Sequence, residues 1–208
     1  MNDWVCCDTH IARMRKTDSF YNQNAQQFFD STVKLNMQDL YEPFLAGIPK
    51  HGRILDAGCG SGRDAKHFED LGFSVVAFDS SSELCNIASV HLGQKVLNGT
   101  FQDIQFENEF DGVWACASLL HLSMSELPAA FKRLNLALKK DGVMYCSLKH
   151  GDFEGERNGR YFTDLSWPSL QQLTSAQGFS EKKYWITSDV RPDRKSEEWL
   201  NGLFVKSE

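Results

Sequence analysis

Residues 54–81 read ILDAGCGSGRDAKHFEDLGFSVVAFDSS. An apolar run, ILDA, closes on three alternating glycines. A helix-length stretch follows, and then a second apolar run, VVAF, ends on Asp79. Short apolar runs joined by such a stretch read as two parallel strands with a crossover helix, covered on both faces. In sheets of this kind ligands bind outside the carboxyl ends of the strands. The segment DAGCGSG, residues 56–62, stands at one of those ends. Its glycines let the backbone turn tightly and approach a ligand closely, and the helix predicted over residues 62–71 offers free N–H groups. Asp79 ends the next strand, where a carboxylate can accept from both hydroxyls of a ribose.

The spacing narrows the ligand. A dinucleotide fingerprint needs G-x-G-x-x-G or a final alanine; Gly58 and Gly60 fit, but Arg63 stands where the third small residue belongs. A phosphate-cradling loop needs Gly-Lys-Ser/Thr after its glycines, and that is absent. A nicotinamide oxidoreductase is therefore disfavoured.

Outward from this core, strands are predicted at 53–57, 74–79, 95–98, 111–117, 143–149, 182–188 and 200–206, with helices at 62–71, 82–91, 124–139 and 167–177. In the third helix Leu127, Ala130, Phe131, Leu134 and Leu138 form one apolar stripe. Residues 1–18 read as a tail or extension, and 19–208 as one domain in which 19–50 form a helical cap ending at Gly47-Ile48-Pro49. The alternation implies an α/β, doubly wound, mostly parallel sheet. Strands 182–188 and 200–206 are joined without a helical pattern, so that last pair should be antiparallel.

Composition sets further bounds. The chain of 208 residues carries a net charge of −6, and no segment is strongly basic: residues 149–208 hold nine basic and ten acidic side chains. The electrostatic footprint of a nucleic-acid binder is missing, and a small-molecule partner is expected instead. Cys6, Cys7, Cys59, Cys85, Cys116 and Cys146 lack metal-ligand spacing, so no metal site and free thiols are expected. No signal peptide or membrane-length apolar stretch is visible, which points to a cytoplasmic protein. The sequence carries no signal of oligomeric state.

Four motifs in order carry a resemblance: LDAGCGSGR, VVAFDSS, FDGVWACASLLHL (110–122) and LKKDGVMYCSL (138–148). Together they resemble the class I S-adenosylmethionine-dependent methyltransferases, over roughly residues 20–206. Within that class the chain is similar to small stand-alone bacterial enzymes grouped with tellurite-resistance-type methyltransferases. The resemblance implies a Rossmann-like seven-stranded fold, S-adenosyl-L-methionine as cofactor and methyl transfer as the reaction. It also implies cofactor contacts. Gly58, Gly60 and Gly62 would wrap the methionine half, with Asp56 orienting its amino group; Cys59 and Arg63, in the same turn, are further cofactor candidates, packing being the competing role for Cys59. Asp79 would take the ribose, Ser80 and Ser81 would flank the adenine, and Phe101-Gln102 would meet its edge. Ala115 to Ala117 would line the sulfonium, and Tyr21 would cap the cofactor.

Methyl transfer from a sulfonium is a direct displacement that needs alignment and water exclusion more than elaborate catalysis. His121, after strand 111–117, is a candidate base or hydrogen-bond donor, Tyr21 is a second catalytic candidate and His150 a weaker one. NPPY, the mark of enzymes methylating adenine or glutamine amines, is replaced by ACAS. Two loops, HGDFEGERNGRYFTD (150–164) and DVRPDRKSEEW (189–199), begin at carboxyl strand ends. They bring Arg157, Arg160, Tyr161, Arg191 and Arg194 toward one mouth, as expected for a small anionic or polar acceptor. Acidic residues interleave with these arginines, so ordinary surface pairing competes with that reading. An RNA or protein methyltransferase and a non-catalytic cofactor-binding module are the alternatives.

Overall fold

The computed structural model describes residues 16–207. Cys6 and Cys7, and the tail predicted over residues 1–15, lie outside the described residues. Three short helices come first: α1 over residues 16–23, α2 (Ala25–Thr32) and α3 (Gln38–Leu45). Residues 16–18, expected in the tail, are thus the first described turn of the cap: Thr17 is buried, which ties this turn to the domain.

The alternating units follow as predicted. Strand β1 (Arg53–Ala57), helix α4 (Arg63–Asp70) and strand β2 (Ser74–Asp79) are the opening stretch, and α5 (Ser82–Leu92) with the two-residue β3 (Leu97–Asn98) continues it. Next come β4 (Phe110–Cys116), a 3-10 turn (Leu119–His121), α6 (Leu127–Ala137) and β5 (Leu138–Lys149). Helix α6 ends earlier than its apolar stripe suggested, because Leu138 already pairs with Phe110 as the first residue of β5. The 150–164 segment, read as a long loop, is a hairpin of β6 (Glu154–Arg157) and β7 (Arg160–Thr163). Asn158 and Gly159 at its tip both have positive φ, the two-residue turn that suits strand twist. Helix α7 (Trp167–Ala176), strand β8 (Phe179–Ser188), a 3-10 turn (Pro192–Arg194) and strand β9 (Glu198–Lys206) complete the chain.

Seven strands form one sheet in the order β3-β2-β1-β4-β5-β9-β8. The pairs from β3 to β5 are parallel, and β5–β9 and β9–β8 are antiparallel. The order in which successive strands are added reverses between the parallel neighbours β1 and β4, which opens a crevice at their carboxyl ends.

The sheet is buried on both faces. Leu55, Val113 and Met144 join Phe131 and Leu134 of α6 in one apolar layer. Ile54, Trp114 and Tyr145 join Phe44 of α3 and Phe68 of α4 in the other. Trp114 and Tyr145 are register partners on β4 and β5, and their rings stack at 4.0 Å. Such aromatic cross-strand pairs add to the area they bury and lock the strands whose ends carry the site.

Candidate active site

A cavity of about 240 Å³ lies at the carboxyl ends of β1, β2, β4 and β5, roofed by α1 and α2. The glycine turn forms its floor. Gly58 and Cys59 donate backbone N–H bonds to the Phe78 carbonyl, both at 2.9 Å, which folds the chain back against β2. Gly60 donates to Asp79 Oδ2 at 2.8 Å, and Ser81 N donates to Oδ1 at 2.9 Å. Burial pushes the Asp79 carboxyl above its ordinary range, while these N–H groups oppose the shift. Gly60 has φ of +53°, and a Cβ there would meet Phe28 Cε1 at 3.0 Å. The turn is therefore shaped so that backbone, not side chain, faces the cavity.

Helix α1 closes the opposite side through bonds at both its ends. Asp18 accepts from Ser80 Oγ at 2.7 Å, and Asn22 Oδ1 accepts from Ser81 Oγ at 2.7 Å. Thr17 Oγ1 accepts from Tyr161 N at 3.1 Å, so the helix bridges the β2–α5 loop and the β6–β7 hairpin.

Between them, Tyr21, His121 and Arg160 form one directed chain of hydrogen bonds. His121 Nδ1 lies 2.6 Å from the Tyr161 carbonyl, which can only accept, so Nδ1 carries the proton. Nε2 is then a bare acceptor, and Tyr21 Oη, 2.8 Å away, donates to it. Arg160 Nη1 donates in turn to Tyr21 Oη at 3.3 Å. Burial, reinforced by the Arg160 charge and opposed by the Tyr161 carbonyl, lowers the His121 pKa to about 4. Burial raises that of Tyr21 despite the nearby Arg160. At neutral pH the imidazole and the phenol are both uncharged.

Of the cofactor residues expected from the sequence, Tyr21, Gly58, Cys59, Gly60, Arg63, Asp79, Ser80, Phe101 and Ala117 line the cavity, as does His121. Asp56, Gly62, Ser81, Gln102 and Ala115 are not on its wall. Asp56 is buried and accepts from Ala65 N at 3.0 Å, tying β1 to α4; burial and the neighbouring Asp64 raise its pKa. Gly62 is the left-handed residue that starts α4, and Ser81 caps α5 by accepting from Leu84 N at 3.1 Å. Gln102 is exposed, whereas Ala115 is fully buried in β4. Arg63 lines the cavity with its guanidinium clasped by Asp64, at 2.6 and 2.8 Å.

The arginine loops divide. Arg160, Arg191 and Arg194 line the cavity; Arg157 and Tyr161 do not. Arg157 pairs with Asp164, Arg191 with Asp189 and Arg194 with Glu197. Tyr161 donates its hydroxyl to Glu154 at 2.7 Å, away from the cavity. His150 is exposed beside Glu198. Lining residues that sequence reasoning missed include Phe28, Thr100, Lys149, Trp199 and Asn201. Lys149 is buried, its ammonium 3.9 Å from the centre of the Trp199 ring and paired with Glu197. Among the described residues no cluster of His, Cys, Asp and Glu could hold a metal ion, and no helix is long and apolar enough to cross a membrane. The four described cysteines are free thiols.

A glycine turn backed by a buried acid, at the switch point of this sheet, defines a class I S-adenosylmethionine-dependent methyltransferase domain. Residues 29–183 match the methyltransferase domain family, and the chain belongs to it. A methyltransferase-named relative from Encephalitozoon cuniculi is 28% identical, over 88% of this chain and 79% of its own. The 2-heptyl-1-hydroxyquinolin-4(1H)-one methyltransferase of Mycobacteroides abscessus is 26% identical, over 69% of this chain and 63% of its own. Other matches are partial: a methyltransferase-named relative from Bacillus subtilis is 30% identical over 52% of this chain and 47% of its own. In the fold, the chain is similar to the Burkholderia thailandensis 1,6-didemethyltoxoflavin-N1-methyltransferase, solved with S-adenosylhomocysteine, at a TM-score of 0.74 and 22% identity, covering 92% of this chain and 87% of that one.

Proposed function

We propose that the chain moves a methyl group from S-adenosyl-L-methionine to a small polar or anionic acceptor held in the cavity beside His121. The observation that carries this reading is the directed Tyr21–His121 bond, which holds Nε2 unprotonated and accepting within the cavity that the glycine turn and Asp79 also line. The cofactor, when bound, supplies an activated methyl on a sulfonium.

The residues fit that group. The open turn at Gly58 and Gly60 would accommodate its methionine half. The unused lone pairs of Asp79 would accept from its ribose, Phe101 and Ser80 would stand by its base, and Tyr21 with Phe28 would close over it. An acceptor replaces Tyr21 as the donor to His121 Nε2. As a new bond to carbon forms, the proton on the acceptor atom becomes strongly acidic, so even this weakly basic imidazole can take it. The resulting imidazolium keeps its Nδ1–H bond to the Tyr161 carbonyl. Roofing by α1 excludes water from the displacement.

Two similar proteins, by their names, methylate small heterocycles, which supports a small molecule over RNA or protein as acceptor. The absence of a strongly basic segment supports the same choice. Thermal stabilisation by S-adenosylmethionine, S-adenosylhomocysteine and NAD, measured side by side, tests the cofactor. Stabilisation by the first two is expected; stabilisation by NAD alone would overturn the reading.

A further inference from the structure

Arg160 sits where two cavities meet. With Lys149, Phe162 and Arg194 it lines both the cavity described above and a second one of about 350 Å³ beside it. The other cations at this junction are matched: Arg157 by Asp164, Arg194 by Glu197, and Lys149 by Glu197 with Asp189 at 3.8 Å. Arg160 has no carboxylate partner among the described residues. In a chain whose net charge is −6, an uncompensated guanidinium at the junction of two cavities is a specific arrangement.

Its geometry says what it can receive. The rings of Phe20 and Phe162 lie 4.7 and 5.1 Å from the guanidinium carbon, so aromatic surface shields the cation. Nη1 is committed to Tyr21 Oη. Nε is shut off from solvent and bonds to nothing, and the same holds for Nε of Arg157 on the second cavity. The Nε–Nη2 edge of an arginine is one that meets an oxyanion with two parallel bonds. A buried N–H without a partner is costly, and an oxyanion on this edge removes that cost and balances the charge.

We propose that Arg160 anchors an oxyanion, a carboxylate or a phosphate, of the acceptor in the second cavity while its nucleophilic atom reaches His121. This rests on the reading that the main cavity receives a small acceptor. Leu120, Leu122 and Phe162 line the main cavity and give the acceptor's body an apolar bed. The acceptor is thus a small acid with an apolar middle, methylated at a site apart from its anionic group.

Calorimetric titration of the chain saturated with S-adenosylhomocysteine tests this, using benzoate, benzamide and inorganic phosphate as probes. Benzoate is expected to bind at least ~10-fold more tightly than neutral benzamide, with phosphate showing whether a tetrahedral oxyanion serves as well. Arg160→Gln should abolish the difference, and Arg160→Lys should restore only part of it. Equal binding of benzoate and benzamide when phosphate also fails to bind, or anion binding that survives Arg160→Gln, overturns the proposal. So does an Arg160→Gln loss confined to S-adenosylhomocysteine affinity, which would make Arg160 a cofactor ligand. The benzoate–benzamide contrast stands even if a variant does not fold. Absent S-adenosylhomocysteine binding in the unaltered chain would sink the methyltransferase reading as well; binding of that product with no anion binding sinks this inference alone.

Discussion

Tyr21 Oη lies 2.8 Å from His121 Nε2, and the proton in that bond belongs to the phenol. One end of the pair comes from the capping helix and the other from the turn after β4, so the roof and the sheet meet at the proposed reacting centre.

His121→Ala removes the proton acceptor. The expected result is a fall in kcat of ~10²-fold or more, with the S-adenosylmethionine Kd little changed. Tyr21→Phe keeps the ring and its edge contacts with Phe28 and loses only the hydroxyl bonds. Its cost should be smaller, about 10-fold, the order of the net worth of its two hydroxyl bonds, one of them long. Steady-state kinetics beside a binding titration separates the two effects.

The His121 pKa predicts how stability responds to acid. Burial holds it near 4 in the fold, against 6.5 as its ordinary value. The unfolded chain therefore takes up a proton first, and stability present above pH 6.5 is lost as the pH falls towards 4. The whole loss amounts to about 3 kcal/mol. Denaturant midpoints over this range should fall more steeply for the unaltered chain than for His121→Gln. Parallel curves would contradict the burial of a neutral imidazole.

Gly60→Ala places a Cβ 3.0 Å from Phe28 Cε1 at a φ of +53°. Left-handed backbone costs an L-residue about 1 kcal/mol, so the fold should survive. Cofactor affinity should fall by ~10-fold or more as the cradle fills. Calorimetry with S-adenosylhomocysteine reads this directly.

Asp64 is buried and accepts from Tyr41 Oη at 2.5 Å and Trp114 Nε1 at 2.8 Å while clasping Arg63. Asp64→Ala leaves the Tyr41 and Trp114 donors and a buried guanidinium unmatched, at a cost of about 3–5 kcal/mol. A large fall in Tm is expected; a change of a degree or two would show that the cluster relaxes.

The opening stretch was legible because glycines and apolar runs carry local information: β1, β2 and their bounds follow from it. The antiparallel final pair was equally readable from its helix-free connection. The hairpin at 154–163 was missed although Asn158-Gly159 is a strong turn signal, because its flanking residues are mostly polar. The backbone turn was readable, and so were Tyr21, Asp79 and His121 as lining side chains, but not what each side chain bonds to. Asp56 and Ser81 were expected at the cofactor, yet their side chains bond nearby N–H groups, a choice that packing decides. The arginine loops do reach the mouth, but which cation stays unpaired depends on neighbours. Arg191 finds Asp189 two residues away, while Arg160 meets rings from α1, some 140 positions distant. No sequence spacing encodes that meeting.

The most direct test of the account is transfer of labelled methyl from S-adenosylmethionine into a cell extract separated into small-molecule and macromolecular fractions, with the unaltered chain beside His121→Ala. Label is expected in the small-molecule fraction and only with His121 intact. Label confined to RNA or protein, or transfer equal in the two chains, would contradict it.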